Sequence, residues 1–211
     1  MQAASAAPLE WEKHEGNLAL IRVQPGSAEW LRVEKEMGGM GKIMKLERIQ
    51  NSWLWRKYCS ERANLLRKNT GLSDPINERR LFHGSKGNSP QEIYNGEEGF
   101  DLRFSAQGMW GRGIYFAEKA SYSDCYCYVP PASNSKLKQM LLATVICGDS
   151  VKCEPNDKLT LPPAKRSAAA GVLSFATERY DSVNGITKGC SVFIIYSNLK
   201  AYPLYLISYT T

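Results

Sequence analysis

Leu81-Phe82-His83-Gly84-Ser85 ends a short apolar run with an imidazole, a glycine and a hydroxyl in succession. Glycine lets a ligand approach the main chain, and exposes a backbone N–H and C=O to it. Histidine and serine add side-chain hydrogen-bonding groups. The trio suits sugar hydroxyls and a carboxamide. A second segment, Gly111-Arg112-Gly113-Ile114-Tyr115-Phe116-Ala117, carries a tyrosine just beyond a Gly-x-Gly bend. A third, Ala120 to Tyr126, holds Tyr122 and Tyr126 one helical turn apart with Ser123 beside them. Tyrosines arriving from separate segments can sandwich a flat heteroaromatic ring; packing in an aromatic core is the plain alternative.

Other chemistries lack their residues. No carboxylate is fixed by spacing beside His83, so a Ser–His–Asp triad has no basis. Glu97 and Glu98 read as a solvated loop rather than a glycosidase pair. No G-x-x-x-x-G-K-[ST] occurs, and Gly108, Gly111 and Gly113 have the wrong spacing for a dinucleotide fingerprint. The chain has six cysteines but no C-x-x-C, and two histidines, so zinc spacing fails and no metal is expected. The thiols read as reduced, which places the protein inside the cell, in cytoplasm or nucleus.

These segments need elements to hold them. Ser27 caps a helix to about Met37, and Asn51 or Ser52 caps a longer one to about Lys68 with Trp55, Cys59, Arg62 and Leu66 on one side. Trp53, Trp55 and Tyr58 are expected in the core. Strands are expected at Asn17–Val23, Lys42–Gln50, Arg80–Gly84, Ile114–Ala117, Lys138–Cys147, Val192–Tyr196 and Leu204–Tyr209, with short helices at Pro90–Tyr94 and Ser121–Tyr126. Gly96 to Gly113 holds five glycines in eighteen residues and reads as a loop with special backbone needs, and Pro155 to Gly171 as a surface loop. The sum is α+β, with a mostly antiparallel sheet.

At 211 residues and 23.6 kDa, with 43% hydrophobic and 23% charged residues, the chain suits one domain at 11–211 behind a flexible lead-in at 1–10. No apolar run is long enough to span a bilayer, and Met1 to Pro8 lacks the basic leader of a signal peptide. The net charge of +6 permits nucleic-acid contact, but the basic residues are dispersed.

In order along the chain stand ERIQNSWLWRKY (Glu47 to Tyr58), NER-x-LFHGS (Asn77 to Ser85), GF-x-x-R (Gly99, Phe100, Arg103), GRGIYFA, ASYS-x-x-Y and AYPLYLISY (Ala201 to Tyr209). Together they resemble the catalytic domain of the poly(ADP-ribose) polymerase family, and most of all its mono-ADP-ribosylating members, over Trp11 to Tyr209. The resemblance implies an ADP-ribosyltransferase fold with a split sheet and flanking helices. NAD is then consumed as substrate. His83, with Ser85, would hold the adenine-side ribose. The Gly84 backbone and the Ser123 hydroxyl would hold the nicotinamide carboxamide, Tyr115 and Tyr126 would flank the nicotinamide ring, and Phe104 to Gly113 would cover NAD as a donor loop.

Polymerising members carry a glutamate at the position that here is Val192, so the triad is His83–Tyr115–Val192. Valine cannot bind the nicotinamide-ribose hydroxyl or assist an incoming one, which implies transfer of single ADP-ribose units to protein acceptors, the chain itself included. Val192 also leaves open a catalytically silent NAD-binding or protein-interaction module; transfer to nucleic-acid ends is a further, less favoured reading.

Overall fold

The computed structural model describes residues 6–131, 136–165 and 178–211. The distal part of the expected 155–171 loop, from residue 166, lies outside them. Strand β1 (Leu18–Arg22) leads to helix α1 (Ala28–Met37). The Ser27 side chain accepts from Trp30 N at its start, and Gly38 closes it in a left-handed conformation. The face with Trp30, Val33 and Met37 is buried, each side chain contributing about 1.5–3 kcal/mol by leaving water. Strand β2 (Lys42–Asn51) runs straight into helix α2 (Ser52–Lys68), where the Asn51 side chain accepts from Trp53 N and Leu54 N.

The buried stripe of α2 is Leu54, Tyr58, Cys59 and Leu65. This corrects the expected stripe: Leu66 is exposed, because the helix rolls to bring Leu54 and Leu65 under the sheet. Trp53 is also exposed, with the Arg56 guanidinium and Lys57 ammonium over its ring, while Trp55 stacks on Tyr58 and meets Tyr202 edge-on. At the entrance to this cluster the Trp55 indole donates to the Ala6 carbonyl.

The remaining elements are β3 (Glu78–His83), α3 (Pro90–Tyr94), a 3₁₀ turn (Leu102–Phe104), β4 (Ile114–Ala117), α4 (Ala120–Asp124), β5 (Lys138–Ile146), β6 (Ser150–Lys152), β7 (Ser182–Thr187), β8 (Cys190–Ile195) and β9 (Ala201–Thr210). They form one nine-stranded sheet in the order β1-β2-β9-β5-β3-β4-β8-β7-β6. All neighbours are antiparallel except β6 and β7. The sequence reading had no strand between Cys147 and Val192. The β7 string Ser-Val-Asn-Gly-Ile-Thr carries too little apolar alternation to announce itself.

Strand β5 is the spine. Leu141, Ala143 and Val145 face one core, and Met140 and Leu142 face the other. The β5–β9 register shifts between Leu142 and Ala143, where β9 carries Pro203, which has no N–H for a ladder bond.

The feature that makes room for a site is the join of β3 and β4. Their ladder holds at a single pair, Phe82 with Ala117, and the strands then diverge. Beyond the split, the His83 ring replaces the ladder, with its Nδ1 2.8 Å from the Tyr115 carbonyl oxygen.

Candidate active site

A cavity of about 860 Å³ opens at this split. Of the sequence-predicted residues, His83, Gly84, Ser85, Tyr115, Ser123 and Tyr126 all line it, although they come from the end of β3 and the turn after it, from β4, and from α4 and the turn beyond it.

His83 is fixed by chemistry as well as position. A carbonyl oxygen only accepts, so Nδ1 carries the proton that it donates to Tyr115. Burial holds the imidazole below its ordinary range, opposed only partly by that hydrogen bond. The ring is therefore neutral near pH 7, and its Nε2 is an acceptor. Phe100 and Phe116 clamp the ring, at centroid distances of 5.1 and 5.3 Å.

Gly84 cannot be replaced. A Cβ there would lie 2.3 Å from the Tyr126 carbonyl oxygen and 2.6 Å from that of Ser123. The cavity wall after α4 thus rests directly on the backbone that follows His83, and Lys86 N donates to the Tyr126 carbonyl at 2.9 Å. The Ser85 hydroxyl donates to the Asn88 carbonyl at 2.8 Å, so its proton shapes the 85–88 turn while its lone pairs stay available.

Ser123 is buried at the end of α4, and Tyr126 is 45% exposed just past it. The Tyr122 and Tyr126 rings lie 5.7 Å apart, tilted at 44°. The helix ends at Asp124, so Tyr126 sits on the turn beyond it rather than inside a helix running to 126.

The Tyr115 ring presses on Gly108, and its hydroxyl accepts from Trp110 N and donates to the Gly111 carbonyl, both at 2.8 Å. Burial pushes this phenol up to about 12. The side chain therefore both lines the cavity and fastens the segment arching over it. That segment has further anchors: a bridge between Gly108 and Gly111, the buried Trp110 indole donating to the Cys153 carbonyl at 2.9 Å, and the Tyr196 hydroxyl donating to the Trp110 carbonyl at 2.6 Å. Gly111 has φ +73°, and a Cβ on it would meet the Leu159 carbonyl oxygen at 1.8 Å. The sequence reading missed Trp110 and Tyr196. Tryptophan beside Gly111 hints at an anchor, but its partners lie up to 86 residues away.

The exposed Arg103 of the GF-x-x-R string folds back on Asp101, with Nη2 to Oδ2 at 2.6 Å, and the Arg112 guanidinium donates to the Ser105 and Arg103 carbonyls. Val192 stands apart from the six lining residues. It is wholly buried between Ala117 and Gly185 in neighbouring strands and does not line the cavity. It packs in the cluster beneath Tyr115 and Tyr122. Among the described residues, no group of three or more His, Cys, Asp or Glu side chains could hold a metal ion, and no helix is long and apolar enough to cross a membrane.

The chain is 35% identical over 210 residues to a probable poly(ADP-ribose) polymerase of Dictyostelium discoideum, covering 96% of this chain and 57% of the relative. It is 28% identical over 208 residues to the human protein mono-ADP-ribosyltransferase PARP14, covering 96% of this chain and 11% of that protein. With mouse protein mono-ADP-ribosyltransferase PARP12 the identity is 32% over 171 residues, covering 80% and 22%. The chain thus spans little over half of the first of these relatives and a smaller part of the others. The family model for the poly(ADP-ribose) polymerase catalytic domain matches residues 31–211, a stretch that contains the β3–β4 split, the cavity and the six sequence-predicted residues that line it. The chain belongs to the poly(ADP-ribose) polymerase catalytic-domain family.

Proposed function

We propose that this domain transfers single ADP-ribose units from NAD to protein acceptors, with release of nicotinamide. The observation that carries the reading is the convergence of His83, Gly84, Ser85, Tyr115, Ser123 and Tyr126 on one cavity while Val192 stays buried outside its wall. His83 Nε2 accepts from a hydroxyl of the adenine-side ribose. The Gly84 backbone and the Ser123 hydroxyl hold the carboxamide, and Tyr115 and Tyr126 flank the nicotinamide ring.

Nicotinamide departs neutral from a positively charged ring, and the transition state resembles an oxocarbenium ion. The protein then needs chiefly to grip, orient and desolvate NAD. An acceptor aspartate or glutamate attacks C1 of the ribose as its own carboxylate. The C–N bond to nicotinamide breaks, its electron pair leaves with nicotinamide, and no base is consumed. A further ADP-ribose hydroxyl would need activation, and Val192 offers neither an acceptor nor a base, so elongation stops after one unit. Lacking a charged contact of this kind commonly costs about 10²-fold in rate, so turnover is slow.

The test is transfer of label from adenine-labelled NAD onto the protein, resolved on a denaturing gel, with His83→Ala alongside. One sharp band, lost in the variant, is expected. A smear of long products would overturn the mono-transfer reading. Binding of nicotinamide analogues without any label would replace it with a silent NAD-binding module.

A further inference from the structure

Helix α4 is five residues long, and its N-cap residue, Lys119, makes no side-chain capping bond. A helix this short does not hold itself, so tertiary contacts must set its position. Yet Ser123 lies on it and Tyr126 just after it, and the site requires both to be placed within a fraction of an ångström. Ala120 anchors one end in the core with Trp30, Val33 and Met37. At the other end, Asp124 turns away from the cavity. Its Oδ1 accepts from the Tyr209 hydroxyl at 2.7 Å, and its two oxygens accept from Lys138 Nζ at 3.0 and 3.2 Å.

Tyr209 and Lys138 face each other as register partners on β9 and β5. The Tyr209 ring is fully buried, and burial together with the Asp124 hydrogen bond holds its phenol protonated, as a donor. None of the three residues lines the cavity.

We propose that Asp124 is a positioning residue. Clamped by Tyr209 and Lys138, it locks α4 to the central sheet and thereby sets the wall formed by Ser123 and Tyr126. The inference rests on the reading above that this wall receives the nicotinamide. It makes the penultimate residue of β9, far from the cavity in sequence and outside it in space, a determinant of affinity for NAD.

The test uses the whole chain, with Tyr209→Phe and Asp124→Asn made singly and together. Tyr209→Phe removes only a hydroxyl and keeps the buried ring, so it carries the test if the aspartate variant fails to fold. The dissociation constant of 3-aminobenzamide, a nicotinamide mimic, is measured by calorimetry, and KM for NAD and kcat by label transfer. Each single variant should raise the dissociation constant and KM about ten-fold, while kcat stays within about two-fold. The double variant should be no worse than the worse single one, because both act through one contact. Wild-type affinity in both singles, losses that multiply in the double, or a loss confined to kcat would overturn the clamp. Failure of the wild-type protein itself to bind 3-aminobenzamide would overturn the nicotinamide reading, and the clamp with it.

Discussion

In the proposed function His83 acts through one nitrogen. Its Nδ1–H is committed to the Tyr115 carbonyl, and Nε2 can accept only while the ring is neutral. Burial lowers the pKa of the ring, so the neutral form persists as pH falls through the ordinary imidazole value of about 6.5. NAD affinity should therefore be flat above that value and decline only at more acid pH, read as KM against pH. The unfolded chain takes up the proton first. Folding stability is thus complete above about pH 6.5 and is lost as pH falls from there through the lower folded value. His83→Ala should abolish transfer while the fold survives; retained activity with a normal melting curve would refute the assignment. Tyr115→Phe tests a different role. It removes the acceptor for Trp110 N and the donor to Gly111 while keeping the ring. Each lost hydrogen bond is worth about 1 kcal/mol, so the expected result is a loosened 104–113 segment, seen as faster amide exchange there, with modest loss of global stability.

At the scale of elements, the site is a gap in a sheet rather than a pocket between domains. Away from the gap, an ionic tie fastens helix α2 to the sheet. Asp181 is 3% exposed. It accepts from Lys68 Nζ at 2.6 Å, Asn69 Nδ2 at 2.7 Å and Asp149 N at 2.9 Å, with Lys200 Nζ at 3.4 Å. Burial alone would raise its carboxyl, but these donors outweigh it and bring it down to about 2. The tie joins the end of α2 to β7 and to the residue that precedes β9. Its contribution is present at neutral pH and is lost as pH falls from the ordinary carboxylate range toward about 2. Asp181→Asn would leave the largely buried Lys200 without its charge partner, and should cost about 3–5 kcal/mol, measured by denaturant unfolding. A change below about 1 kcal/mol would mean that the tie is screened.

For the whole molecule, the proposed limit to single ADP-ribose units turns on Val192. Val192 lies under Tyr115 and Tyr122, in a cluster with Trp110, Val183 and Ile194. A glutamate there would have to bury its charge among apolar side chains or push the strand apart. Val192→Glu should therefore lose stability and still give no long products; a ladder on a denaturing gel would show that the one side chain suffices. The basic residues behind the net charge of +6 are dispersed along the chain, and some are held in ion pairs such as Arg80–Glu36 and Arg48–Glu29.

By itself the sequence determined what local rules can encode. Capping residues and apolar spacing marked α1 and α2, and the apolar run 138–147 marked the central strand. The strings around His83, Tyr115 and Ser123, through their resemblance to the family, named residues that meet in the cavity. Other features were decided only by packing between distant segments. Trp53 turned out to water and Leu54 turned in because the roll of α2 is set by the sheet beneath it. β7 became a strand because β8 and β6 offered it ladder partners, not because its residues alternate. Val192 left the cavity wall because Trp110, Tyr115 and Tyr122 pack against its cluster. Asp124 found its partner in Tyr209, 85 residues along the chain. Periodicity and caps act over one or two turns of chain, whereas burial and hydrogen-bond partnership are settled by neighbours that only the folded sheet brings together.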